Sequence, residues 1–196
     1  MSTIVVAKKA GQVCIAADSL TSFGDLRMGA DYEVGHDKIL VHGDSYLGIV
    51  GSAAHQLVME SILKQDEIRV DFASRLAVFE TFRSLHPILK DKYFLNAKDE
   101  EDDPYESTQI DALIACPHGI FGVHSLREVC EYKKFWAIGA GADYALGAMY
   151  TAYDVFDSAE DIARAGVMAG VEFNNASAMP MSSYTVDLVK LKSVSG

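Results

Sequence analysis

The chain has 196 residues, 49% of them hydrophobic and 23% charged, which suits one folded domain with its own core and excludes a disordered segment. Its net charge of −11 argues against a nucleic-acid or anionic-membrane partner, and no apolar run reaches the length of a membrane span. Three cysteines, Cys14, Cys116 and Cys130, form no C-x-x-C pair and read as reduced thiols; with no apolar leader at the N-terminus, the expected location is the cytoplasm.

The chain opens with two apolar runs, Ile4-Val5-Val6-Ala7 and Val13-Cys14-Ile15-Ala16-Ala17, joined by a turn at Ala10-Gly11. That pattern predicts a hairpin. A hairpin returns Asp18, at the end of the second strand, to the neighbourhood of Ser2. Ser2 is small, which favours removal of Met1 by aminopeptidases. Its hydroxyl and free α-amine would then sit on one residue beside a carboxylate, a nucleophile-activating set.

Ser19–Asp25 is polar and turn-rich. Lys38–Val41 reads as a short strand opened by a lysine, His42-Gly43-Asp44-Ser45 as a turn, and Tyr46–Gly51 as a second strand. From Ala53 the apolar period becomes helical. One amphipathic helix reaches Lys64-Gln65 and a longer one covers Val70–Arg83, with Pro87 marking a kink or an end. Asn96–Ser107 is an exposed acidic loop without the ligand alternation or glycine of an EF-hand. Ile110–Cys116 and Ile120–His124 pair around Pro117-His118-Gly119, and Phe135–Ile138 is a further strand. Helices follow over Asp143–Ala152 and Ala159–Phe173, and Tyr184–Val189 closes the chain as a strand. Hairpins separated by helix pairs indicate an α+β fold with antiparallel sheets, in a single domain over 1–196.

Six histidines show no metal-ligand spacing, and no G-x-S-x-G elbow occurs. Gly139-Ala140-Gly141 follows a strand and opens a helix, a faint dinucleotide fingerprint that would suit an oxidoreductase. Tyr144 stands where its third glycine belongs.

Ser2-Thr3-Ile4-Val5-Val6, the turn, and Val13-Cys14-Ile15-Ala16-Ala17-Asp18-Ser19 resemble the start of a mature proteasome-family β-subunit. Within that family the chain resembles the HslV-like branch and the betaproteobacterial proteasome homologue over nearly its whole length. The resemblance implies a four-layer α-β-β-α sandwich with two antiparallel sheets, the N-terminal-nucleophile hydrolase fold. It also implies a self-compartmentalising peptidase of stacked homo-oligomeric rings, cleaving peptide or unfolded protein through an acyl-enzyme. Docking of an ATP-driven unfoldase is left open.

By that resemblance Ser2 is the nucleophile, where the family normally has threonine; serine keeps the hydroxyl and loses the methyl that restrains its rotamer. An unperturbed α-amine titrates at about 7.7–8.0, so it is partly neutral and able to take the hydroxyl proton. Asp18 and Lys38 match the family's carboxylate and lysine, whose ammonium would favour the neutral amine by like-charge repulsion. Gly51 matches the oxyanion-hole glycine. Thr21, Ser22, Ile49 and Ala53 match positions that pair with substrate backbone or line the first specificity pocket, an apolar one if Ile49 floors it. No cofactor is required; carbonyls at Val171, Asn174 and Ser177 match a monovalent-cation turn.

The chain also departs from the family. Ala140 stands where a serine lies near the nucleophile's amine, which predicts slow turnover. The late Asp and Ser/Thr pair becomes Glu172 with Asn175 or Ser177. The stretch from Asp18 to Lys38 is longer than in HslV. These departures support a second reading, a ring scaffold with little or no activity. If Asp99–Asp103 faces the pore, the loop favours basic or neutral chains.

Overall fold

A computed structural model describes residues 2–65, 68–98 and 100–189; Met1 and Asp99 lie outside these. Two antiparallel sheets form its centre. The first has the order β10-β1-β2-β11, from β1 (Ile4–Lys9), β2 (Gln12–Asp18), β10 (Phe135–Ile138) and β11 (Met181–Asp187). The second has the order β5-β6-β7-β8-β9, from β5 (Ile39–His42), β6 (Ser45–Val50), β7 (Asp111–Cys116), β8 (Gly119–Val123) and β9 (Val129–Tyr132). A separate ribbon pairs β3 (Thr21–Phe23) with β4 (Leu26–Met28).

Three apolar clusters turn these sheets into layers. Ile4, Val6, Val13 and Ile15 meet Leu113, Ala115 and Ile120 between the two sheets. Their strand neighbours Val5, Ala7, Cys14 and Ala16 point the other way, because successive side chains alternate across a sheet. There they meet Ala145 and Met149 of α3 (Ala142–Ala152) and Ile162 and Val167 of α4 (Ala159–Phe173). Beyond the second sheet, Leu47, Ile114 and Phe121 pack on Met59 and Ile62 of α1 (Ala53–Lys64) and on Phe82 and Leu85 of α2 (Arg75–Asp91). The result is the expected α-β-β-α sandwich.

Several boundaries differ from the expectation. Lys38 lies just before β5 rather than opening it, and β11 begins at Met181, not Tyr184. Residues 70–74 stay outside α2, which starts after the Ser74 cap and contains Pro87. The helix survives its proline because Val78, Phe82, Leu85 and Leu89 keep it seated on the sheet. The β3–β4 ribbon and β9 have no forerunner in the pattern. They are three or four residues long and partly exposed, so no alternation marks them. Among the described residues no helix is long and apolar enough to cross a membrane.

Candidate active site

The hairpin register sets the site. Ile4 pairs with Ala17, and the Asp18 N–H reaches the Thr3 carbonyl at 3.2 Å. Asp18 therefore stands beside the residue that follows Ser2. Its side chain is wholly buried and saturated with donors. Oδ1 accepts from the Thr3 N–H at 2.9 Å and from the Lys38 ammonium at 2.8 Å. Oδ2 accepts from Leu20 N–H at 3.0 Å and Ala178 N–H at 3.1 Å. Burial pushes the Lys38 ammonium below the usual lysine range, and the Asp18 charge opposes that shift. Asp18 thus links Lys38 to the residue that follows Ser2, and Ser2 and Lys38 line one cleft.

Ser2 is 8% exposed, and no described group hydrogen-bonds to its hydroxyl. Its carbonyl accepts from the Gly141 N–H at 3.4 Å. Gly139 passes so close, with φ of +94°, that a Cβ there would fall 2.1 Å from the Ser2 oxygen. The Gly139–Gly141 run is therefore shaped by contact with the chain's own N-terminus, which displaces the dinucleotide reading.

Gly51 lies between β6 and α1, after which Ser52 caps the helix by accepting from the Ala54 N–H. Its φ is +143°, and a Cβ would lie 2.8 Å from His55 Nδ1 and 3.2 Å from the Gln109 carbonyl. The Gly51 N–H has no partner among the described residues, so it is available to a developing oxyanion. Gly51→Ala is expected to cost about 1–3 kcal/mol of stability through backbone strain. Misdirecting this donor should also lower kcat by about 10²–10³-fold. Thermal denaturation and steady-state kinetics read the two effects separately.

Ser2 and Gly51 line a cleft of about 1020 Å³ together with Thr21, Ser22, Lys38 and Ile49. Ala53 begins α1 between Ser52 and Ala54, which also line the cleft. Ile49 is 8% exposed and packs mainly into the helix-side core, so it leaves little apolar floor.

Behind Ser2, the Thr3 hydroxyl meets the Ser177 hydroxyl at 2.7 Å, and Asn174 Nδ2 donates to the Ala140 carbonyl at 2.9 Å. Of the residues expected for the late pair, Ser177 reaches Thr3, while Glu172 and Asn175 are exposed. The side-chain contacts of Thr3 and Asn174 carry no local signal, because their partners lie far along the chain. The expected cation turn does not fit a cation well. The Asn174 carbonyl accepts from Ser177 N–H, and the Ser177 carbonyl accepts from the Arg27 guanidinium at 3.4 Å. Arg27 already brings a positive charge there. Nor do the cysteines offer a rival nucleophile in the core, since burial pushes the Cys14 thiol up to about 11 and raises Cys116 too.

Among the solved structures that match, two are of one protein. Thiobacillus denitrificans BPH, a bacterial proteasome homologue, is 41% identical over 95% of this chain and 98% of its own, with a TM-score of 0.89. The same protein in complex with epoxomicin is 40% identical over 96% of this chain and 100% of its own, also at 0.89. Eukaryotic HslV from Trypanosoma brucei shares the fold at 16% identity, covering 94% of this chain and 99% of its own, with a TM-score of 0.64. No family model matches the chain, and no curated protein does.

Proposed function

Because this chain belongs to the proteasome family, as a relative of the bacterial proteasome homologue, we propose that it is a self-compartmentalising peptidase subunit with Ser2 as its nucleophile. Removal of Met1 frees the Ser2 amine. The amine takes the hydroxyl proton as the oxygen attacks a peptide carbonyl. The Gly51 N–H receives the developing negative charge. The amine then returns the proton to the leaving nitrogen, and water releases the acyl group from Ser2. Lys38 keeps the amine neutral by repulsion, and Asp18 keeps Lys38 in place. The observation that carries this reading is the Asp18 carboxylate, which holds the Lys38 ammonium at 2.8 Å and the Thr3 N–H at 2.9 Å, one residue from Ser2.

Copies of the chain form closed stacked rings in the cytoplasm that admit peptide or unfolded protein. No cofactor is needed. Epoxomicin binds the relative, so it is the natural probe. Intact mass after incubation should show loss of Met1 and one adduct, mapped to residue 2. A chain that keeps Met1, or an adduct elsewhere, refutes the assignment. A specific observation favours a second reading, a ring scaffold with little activity. Ala140 offers no hydroxyl near Ser2, and its carbonyl is taken by Asn174. Absence of any adduct on a Met1-free chain would favour the scaffold.

A further inference from the structure

The cleft beside Ser2 carries a charge that the chemistry above does not use. Glu33, Asp37, Glu60, Lys38 and Lys64 all line it. Four of these are already engaged. Lys38 is held by Asp18, and Lys64 meets Glu60 at 2.6 Å. The Asp37 oxygens accept from the Ile39 N–H at 2.9 Å and from the Tyr184 hydroxyl. Glu33 is different. Its Oε2 accepts from the Thr21 hydroxyl at 2.9 Å, while its Oε1 has no partner among the described residues. No cation pairs with it among the described residues, yet it is half-buried and its field reaches the Lys38 ammonium. Thr21 of β3 ties it down, and Thr21, Ser22 and Glu33 all line the cleft.

We propose that Glu33 selects the charge of the substrate. It favours peptides with lysine or arginine on the acyl side of the scissile bond. This inference rests on the peptidase reading above. A long cationic side chain can lay its stem along the exposed Phe23 and Leu57, which also line the cleft, and bring its head to Oε1. A leucine would strip water from the carboxylate and give nothing back. A glutamate would meet like charge. Ile49, expected to floor an apolar pocket, lines the same cleft, and Glu33 adds the acid that decides charge.

The test uses the assembled protein and three fluorogenic peptides that differ only in arginine, leucine or glutamate at the acyl position. Peptide epoxyketones with arginine or leucine there are followed in parallel by intact mass. The wild type should prefer arginine to leucine in kcat/KM by about ten-fold or more. Glu33→Gln should reduce that ratio by about ten-fold, and Glu33→Lys should move the preference toward glutamate. A ratio within about two-fold of wild type in Glu33→Gln overturns the proposal. So does an equal fall for all three peptides, which would make Glu33 a support for Lys38. A leucine epoxyketone that labels Ser2 in a wild type without arginine preference refutes charge selection and leaves the peptidase standing. No labelling by either probe removes both.

Discussion

Ser2→Ala is expected to abolish peptide cleavage, with kcat falling on the order of 10⁴-fold or more, as when other enzymes lose a nucleophile. The variant keeps the amine, Lys38, Asp18 and Gly51, so the loss isolates the hydroxyl. No described group bonds to that hydroxyl, so the melting temperature should stay within about 2 °C. Ser2→Thr keeps alcohol and amine together and should retain activity and the epoxomicin adduct. Thr3 cannot take over in Ser2→Ala. Its N–H is committed to Asp18, and its hydroxyl to Ser177. Cleavage by Ser2→Ala near the wild-type rate would end the nucleophile assignment.

Asp18→Asn should damage both folding and function. The Lys38 side chain is 10% exposed and that of Asp18 is 0% exposed, so the change leaves a buried ammonium without its counter-charge. Breaking such a pair from one side costs about 3–5 kcal/mol. Chemical denaturation should show that loss. Lys38→Met should be milder for stability, because Asp18 keeps three backbone N–H donors. It should still cost activity, since the amine loses the charge that keeps it neutral. In the double variant the stability losses should fall short of their sum, while activity stays low. Activity of Lys38→Met within about two-fold of wild type would remove the lysine from the mechanism.

The lowered Lys38 value adds a pH signature. Rising pH removes the ammonium earlier than for a free lysine at 10.5, but a free α-amine, at about 7.7–8.0, is already neutral there, so the repulsion shows instead on the acid limb of kcat/KM, which Lys38→Met should move to higher pH. Stability does respond to the lysine's own titration. The folded state binds its proton less tightly than the unfolded chain, so burying the ammonium costs stability at neutral pH, although Asp18 offsets part of that cost. That cost is relieved as pH rises from the folded value toward 10.5. Lys38→Arg, which stays charged, should leave the acid limb where the wild type has it.

Some of this was legible in residue order alone. The β1–β2 hairpin was, because a β-branched run, a glycine turn and a second apolar run allow few alternatives. The hairpin also brought Asp18 to Ser2, since antiparallel pairing makes the far end of one strand the neighbour of the other's start. Lys38 and Gly51 entered through family resemblance. The twenty-residue arc from Asp18 to Lys38 has no periodicity that would bring its ends together. The β3–β4 ribbon within that arc was hidden by its short, exposed strands.

Residue order by itself determined the local elements, the antiparallel class and the pairing of Ser2 with Asp18, because these follow from side-chain period and turn chemistry within a few residues. Tertiary structure alone decided that Ser177 meets Thr3, that Asn174 holds Ala140, and that Thr21 holds Glu33 in the cleft. Those contacts join residues up to 174 positions apart, and only the packing of the layers brings them within hydrogen-bond reach.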